Sequence, residues 1–339
     1  MIRKTRIICA AGLLIVVFGS CRHSREPEVR VKVLDNPWFK IASPPRLIAG
    51  HLSNPMSPRM RGSDLVLAES GSGTVSLIEN GKATPLIKGF ANEKYENYKI
   101  SVEGITIDPK SGWWIIASAE GAGRIQLFDP STFPTDAQSG RDITMEGAVD
   151  DNPYSTVLAD GGRVLVVSGG TNKAYQGKFD QVGNPNPVKP VAEVETGLIG
   201  LAIDPKSGDV FAAVFGRGPG TGEVVQWDAT AQPVVLRKVA SGFTNPVDVA
   251  FTPDGVLLAL EFGEFGSKET GRVFIVSMDG SGSITPFITG LNNPTGFFLS
   301  AENTLYITEF GESANDAQGT LIAISLTSTG YQKERSISD

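Results

Sequence analysis

The chain offers chemistry mainly through oxygen-bearing side chains. It holds 37 Asp and Glu residues against two histidines and two cysteines. His23 precedes the repeats described below, and His51 reads as a solvated surface imidazole. No Gly-x-Ser-x-Gly, phosphate-loop or dinucleotide fingerprint is present, so no catalytic residue is assigned by motif. Gly216-Arg217-Gly218-Pro219-Gly220 is glycine-rich but does not open a helix, and it reads as a loop, not a phosphate cradle. Two sets of oxygen donors remain. Glu69, Glu261 and Glu309 occupy one recurring place, with Glu264, Glu269, Glu312 and Asp316 in adjacent loops. Together they predict an acidic cluster on a ligand face, suited to a cation or a polyol. The structural alternative is that each carboxylate accepts hydrogen bonds from backbone amides of a neighbouring loop. The second set, Asn54, Glu103, Asn152, Asn245, Asp248 and Asn293, recurs at a different place. Glu103, Asn152, Asn245 and Asp248 are the candidate metal ligands, since converging hard oxygens suit Ca²⁺. Against this, Asn before Pro is a turn-former in its own right.

These residues are spaced by a repeat. Gly242-Phe-Thr-Asn-Pro246 returns as Gly290-Leu-Asn-Asn-Pro294, with four short apolar runs between, each closed by a turn signal. Aligned copies start near Pro55, Val102, Pro153, Leu198, Pro246 and Pro294, at steps of 47, 51, 45, 48 and 48 residues. Four β-rich runs per period describe one propeller blade, so the fold expected is all-β, a six-bladed β-propeller of four-stranded antiparallel blades. The three glutamates end second runs; Ala119, Ser168 and Val214 hold that place in the other copies. The sixth copy lacks a fourth strand, while Pro45-Arg46-Leu47-Ile48-Ala49-Gly50 matches one. The N-terminal strand is therefore expected to close the ring against 319–325, leaving no long exposed edge. Long loops at Phe215–Gly222, Phe262–Gly271 and Phe310–Gly319, with inserts at 90–101 and 181–197, are expected at one mouth, where function usually sits. The insert at 129–150 is assigned to the other face or the rim.

Residues 1–20 carry Arg3, Lys4 and Arg6, no acid, and an apolar run of 12 residues from Ile7 to Phe18. That run is shorter than the roughly 20 residues of a membrane span and reads as a signal peptide. Phe18-Gly19-Ser20-Cys21 resembles a bacterial lipobox, which implies cleavage before Cys21 and its acylation. Cys9 lies in the removed segment, so a mature chain has no disulfide or cysteine nucleophile. Residues 21–44 read as a tether, 45–326 as the propeller and 327–339 as a tail. Removing three basic residues takes the formal charge from −7 to −10, which disfavours nucleic acid as a partner.

The repeat phrase Asn-Pro-x-x-x-Ala-Phe-x-Pro-Asp-Gly, the Glu-x-Gly after the second run, and Asp151-Asn152-Pro153-Tyr154 resemble the ScyD/ScyE family, close to NHL-type and TolB-like propellers. The resemblance covers residues 45–326 and implies a propeller in an extracytoplasmic setting. It implies a lipid-anchored binding or scaffold module, with a small molecule or protein at the propeller mouth and no certain cofactor. The alternative is a Ca²⁺-dependent lactonase or esterase on the gluconolactonase and paraoxonase plan. Pyrroloquinoline quinone-dependent sugar dehydrogenases share Asn-Pro phrases but need a channel histidine, which this sequence does not supply.

Overall fold

The computed structural model describes residues 29–95, 98–121, 123–148, 151–179, 186–228, 234–310 and 317–330. The stretch read as a signal peptide, Cys21, Glu312, Asp316 and most of the stretch read as a tail lie outside them. Six antiparallel sheets of four consecutive-type strands form the blades, in chain order 55–88, 102–143, 153–193, 198–243, 246–291 and 294–328. The six innermost strands begin at Pro55, Val102, Pro153, Leu198, Pro246 and Pro294, the positions from which the repeat was counted. Second strands such as Trp114–Ser118 and Leu257–Glu261 are buried along their whole length, because blades cover both their faces. Outer strands such as Lys82–Lys88 are mostly exposed or half-buried.

The ring closes as the repeat requires. Phe39–Leu52 pairs antiparallel with Gly319–Ser328, with Arg46 opposite Ala323 and Leu47 opposite Ile322. The tether reading of 21–44 needs correction over its described part. The closing strand starts at Phe39, and Lys32–Val33 adds a fifth strand to blade 5. Phe39 is buried and packs on Phe287 at 5.4 Å. Alternating Val29, Val31 and Val33 lean on the same core, an amphipathic pattern that prolines on either side obscured. The closing strand's partner, Gly319–Ser328, carries on past Leu326, two residues into the stretch read as a tail.

One insert lands differently, and a second takes the rim, one of the two places expected for it. Residues 181–197 do not simply join blades. Lys189–Glu193 is the outer strand of blade 3, and only 194–197 connect it to blade 4. Lys and Pro at its start hid it, and both are residues an edge strand tolerates. Within 129–150, Arg141–Ile143 is the outer strand of blade 2, and Thr135–Asp136 runs parallel to the outer strand of blade 1. This insert therefore lies on the rim.

Each innermost strand carries one extra residue near its start relative to its partner. The register shifts fall between Met56 and Arg59, at Glu103, at Tyr154, between Leu198 and Leu201, at Val247 and at Thr295. A bulge of this kind bends the strand and re-aims a side chain. Here it happens six times around one axis. The second residues of the six strands, Met56, Glu103, Tyr154, Ile199, Val247 and Thr295, all line one cavity.

Candidate active site at the channel mouth

The cavity measures about 320 Å³ and opens at the end of the channel where the inner strands begin. That is at the lower end of the roughly 300–1,000 Å³ usual for small-molecule sites. Five of the six bulge residues on its wall are uncharged. Glu103 is the exception, at 2% exposure. Asn152, from the connector before blade 3, hydrogen-bonds to its carboxyl. Glu103 Oε2 and Asn152 Oδ1 are both buried and without a partner. Burial raises the Glu103 pKa to about 8, and the Asn152 hydrogen bond offsets only part of that. Tyr154 is held far above the usual phenol range by burial and by the charges of Glu103 and Asp248, so it keeps its proton. Its hydroxyl donates to Thr295 O at 3.4 Å, a long bond that leaves it available to a ligand.

Asp248 serves a different purpose. Its Oδ2 accepts from Phe297 N at 3.2 Å, in the next blade, and its Oδ1 from Val249 N at 2.9 Å. Ser57 makes the matching bond two blades on, accepting from Ile105 N at 3.1 Å. The third residue of the inner strand alternates around the ring: Ser57, Ser155 and Asp248 in blades 1, 3 and 5, and Gly104, Gly200 and Gly296 between them. A Cβ on Gly200 would come within 2.4 Å of the Asp248 Cα, so the glycines let neighbouring strands close on the polar residues. Burial lifts Asp248 to about 6, against the opposing charge of Arg59 and the two amides; burial in turn lowers Arg59. Asp248 thus reads as a clamp between blades, paired electrostatically with Arg59 in the channel.

The remaining candidates are structural. Asn245 sits in the left-handed region at φ 57° and its amide donates to Gly263 O at 2.9 Å. Asn54 does the same at φ 47°, donating to Lys99 O at 3.0 Å. These are turn-formers, as Asn tolerates that region. Asn152 departs from the pattern and turns its side chain to the cavity. Glu69, Glu261 and Glu309 stand opposite Pro55, Pro246 and Pro294, each within its own blade. Glu69 accepts from Ser53 N at 3.2 Å and Ser76 Oγ at 2.6 Å. Glu309 accepts from Asn292 N and from Thr320 Oγ1, both at 2.7 Å. Glu261 accepts from Thr244 N. They brace the blade connections and do not converge on one ligand. Burial raises both Glu261 and Glu309, partly offset by those bonds. The register corrects one equivalence: Ser118, not Ala119, stands in the glutamate position of blade 2, opposite Val102.

Of the four candidate metal ligands, the structure brings Glu103 and Asn152 together and leaves Asn245 and Asp248 apart from them. Ca²⁺ takes about six to eight oxygens. Glu103 and Asn152 bring one free oxygen each to the cavity wall, where neither Asn245 nor Asp248 is among the lining residues, and both Asp248 oxygens accept backbone amides. No group of three or more His, Cys, Asp or Glu residues could hold a metal among the described residues. Nor does the lining suit a tricarboxylate quinone, for among the described residues it contains no Lys, Arg or His. His51 is exposed on the closing strand.

No protein-family model matches the chain, and no curated protein does. Solved structures do match. A gluconolactonase from Xanthomonas campestris is 14% identical with a TM-score of 0.63, covering 89% of this chain and 99% of its own. The PQQ-bound aldose sugar dehydrogenase of Streptomyces coelicolor is 15% identical with a TM-score of 0.63, over 89% of this chain and all of that one. A calcium structure of a Trichoderma reesei family AA12 carbohydrate-active enzyme is 12% identical with a TM-score of 0.58, covering 86% and 98%. At such identities the likeness establishes the six-bladed fold and nothing finer. These relatives are enzymes, and their chains are spanned almost completely.

Proposed function

We propose that the protein is a small-molecule hydrolase that opens lactones or cleaves esters, with the cavity as its active site and Glu103 as the acid–base group. The observation that carries this reading is the Glu103 carboxyl, buried in a channel mouth with one oxygen unpaired and its pKa displaced toward neutrality. A buried acid with one oxygen left unpaired costs stability, and sites of catalysis are where such costs persist. As a carboxylate, Glu103 takes a proton from water as the water oxygen bonds to the carbonyl carbon. When the carbon–oxygen bond to the leaving alkoxide breaks, the same proton passes to that alkoxide. The Asn152 amide and the neutral Tyr154 hydroxyl face the same half of the cavity and can donate to the carbonyl oxygen as it gains charge. No step requires a histidine or a cysteine.

The similarity to gluconolactonase structures supports this reading over a scaffold without chemistry. A scaffold gives no reason for a buried acid with one oxygen unpaired in the cavity wall. The test is proton release from a panel of neutral lactones and esters by the purified chain. Turnover that falls at least ~100-fold in Glu103→Gln supports the reading; turnover by no member of the panel, with ligand binding retained, returns the protein to the binding-module class.

We also propose that the enzyme works outside the cytoplasm as a ScyD/ScyE-type lipoprotein, acylated at Cys21. The lipobox-like Phe18-Gly19-Ser20-Cys21 supports this. Cys21→Ala is expected to leave the membrane fraction or to remain uncleaved; a cleaved variant that stays with membranes would contradict it.

A further inference from the structure

The cavity is divided, and the division follows the blades. In every blade the residue after the second strand donates its backbone N–H to the connector residue before the first: Ser70 to Asn54, Ala119 to Ser101, Gly169 to Asn152, Phe215 to Gly197, Phe262 to Asn245 and Phe310 to Asn293. This shared bond makes the six positions equivalent. Blades 1 to 3 place small residues there, and blades 4 to 6 place phenylalanine. A fourth ring, Phe265 from the long loop of blade 5, lies 4.8 Å from Phe262 and 6.2 Å from Phe215. Phe262 in turn stands edge-on to Phe310 at 6.4 Å. All four rings line the cavity, and Phe265 is 44% exposed. Glu103, Asn152 and Tyr154 belong to blades 2 and 3, across from this wall.

We infer that the substrate is a neutral ester or lactone with an aromatic or alkyl body, its carbonyl at Glu103 and its body against the four phenylalanines. The carbonyl half of this inference rests on the hydrolase reading; the body half rests on the aromatic wall alone. A polyhydroxylated sugar lactone fits poorly. Several of its hydroxyls would lie against phenyl faces, and each one left unpaired weakens binding about tenfold. An apolar body instead gains offset or edge-on ring contacts. Among the described residues the lining carries no Lys, Arg or His to hold a substrate carboxylate. The chain is thereby set apart from the gluconolactonase and sugar dehydrogenases whose fold it shares.

The test compares an alkyl-substituted δ-lactone with glucono-δ-lactone on the full chain, corrected for spontaneous hydrolysis. Displacement of the neutral dye N-phenyl-1-naphthylamine gives a second, binding-only measurement. The alkyl lactone is expected to win by at least 100-fold in kcat/KM. Phe265→Ser, at an exposed position that should leave folding intact, is expected to reduce that preference about tenfold, chiefly through KM, and to weaken dye binding. Equal or better turnover of the sugar lactone overturns the inference while leaving the hydrolase reading intact. So does a preference, or dye binding, that Phe265→Ser leaves unchanged. If neither lactone turns over, the hydrolase reading falls; displacement of the dye by the alkyl lactone alone, weakened in Phe265→Ser, then still supports the apolar pocket, and its absence overturns it.

Discussion

Glu309 and Glu103 are both buried acids at the same end of the propeller, yet they stand in opposite relations to the fold. Glu309 belongs to a repeated position, and both its oxygens accept hydrogen bonds, from Asn292 N and Thr320 Oγ1. Glu69 and Glu261 hold the corresponding places in blades 1 and 5. Glu103 occupies a bulge position that the other five blades fill with uncharged residues, and its Oε2 has no partner. The place that glutamate fills in three blades serves a need those blades share, an acceptor for the connector amide. What one blade alone carries is not required by blade geometry, and in this chain it points into the cavity. The same contrast separates Asn245, which caps its turn, from Asn152, which faces Glu103.

The largest expected effect on this comparison is kinetic. Glu103→Gln keeps the shape of the side chain and removes the proton carrier, so hydrolysis of a good substrate is expected to fall about 10²- to 10⁴-fold. Glu309→Gln is expected to stay within threefold of wild type. Parallel assays of the two variants check this directly, and equal losses would dissolve the distinction.

Next in size is a stability effect of unusual sign. The folded-state pKa of Glu103 is raised to about 8 from an ordinary 4.5. The part of the stability that depends on Glu103 is fully present below the unfolded value, is lost as pH rises toward 8, and levels off above it. Over that window the loss is about 1.4 kcal/mol for each pH unit. Glu103→Gln escapes it. The variant is therefore expected to match wild type near pH 4 and to unfold at higher denaturant concentration near pH 8. A gap that does not widen with pH would show that Glu103 is not desolvated as described.

Smaller again is the cost of removing a brace. Glu309→Ala strands the Asn292 amide and the Thr320 hydroxyl and is expected to cost about 1–3 kcal/mol by denaturant titration, with turnover per folded molecule preserved. Smallest should be Asn245→Gly, which removes one amide bond to Gly263 but suits the left-handed backbone; about 1 kcal/mol or less is expected, with hydrolysis unchanged.

How far the sequence could be read follows the same line between repeated and unrepeated residues. The inner strand starts at Pro55, Val102, Pro153, Leu198, Pro246 and Pro294 were countable because prolines and Pro-Asp-Gly-type turns punctuate them. Ring closure by 45–50 was legible because the orphan strand matches the segment before Pro294. Side-chain direction was not legible. Each inner strand contains a bulge, and an added residue exchanges the faces of everything beyond it. Glu103 and Asp248 therefore looked like members of one ligand ring, although the first lines the cavity and the second clamps blade 5 to blade 6. A one-residue slip likewise placed Ala119 where Ser118 belongs. The aromatic wall had a visible signal: Phe-Gly follows the second run in copies four, five and six, at 215, 262 and 310, and in no other copy. Its meaning depended on knowing that those positions face the axis. Residues 29–44 escaped notice because the prolines around them suggest a linker, while valines at alternate positions from 29 to 33 were already those of a packed strand.

Glu103 is proposed to carry the proton from a buried place in the cavity wall, and a pH–rate profile tests that role most directly. For an alkyl lactone, kcat/KM of the wild type measured from pH 5 to 10 is expected to rise along a limb with its midpoint near 8, as the Glu103 carboxyl ionises, and that limb is expected to vanish in Glu103→Gln. A midpoint in the ordinary carboxylate range, or the same limb surviving in the variant, would contradict the assignment.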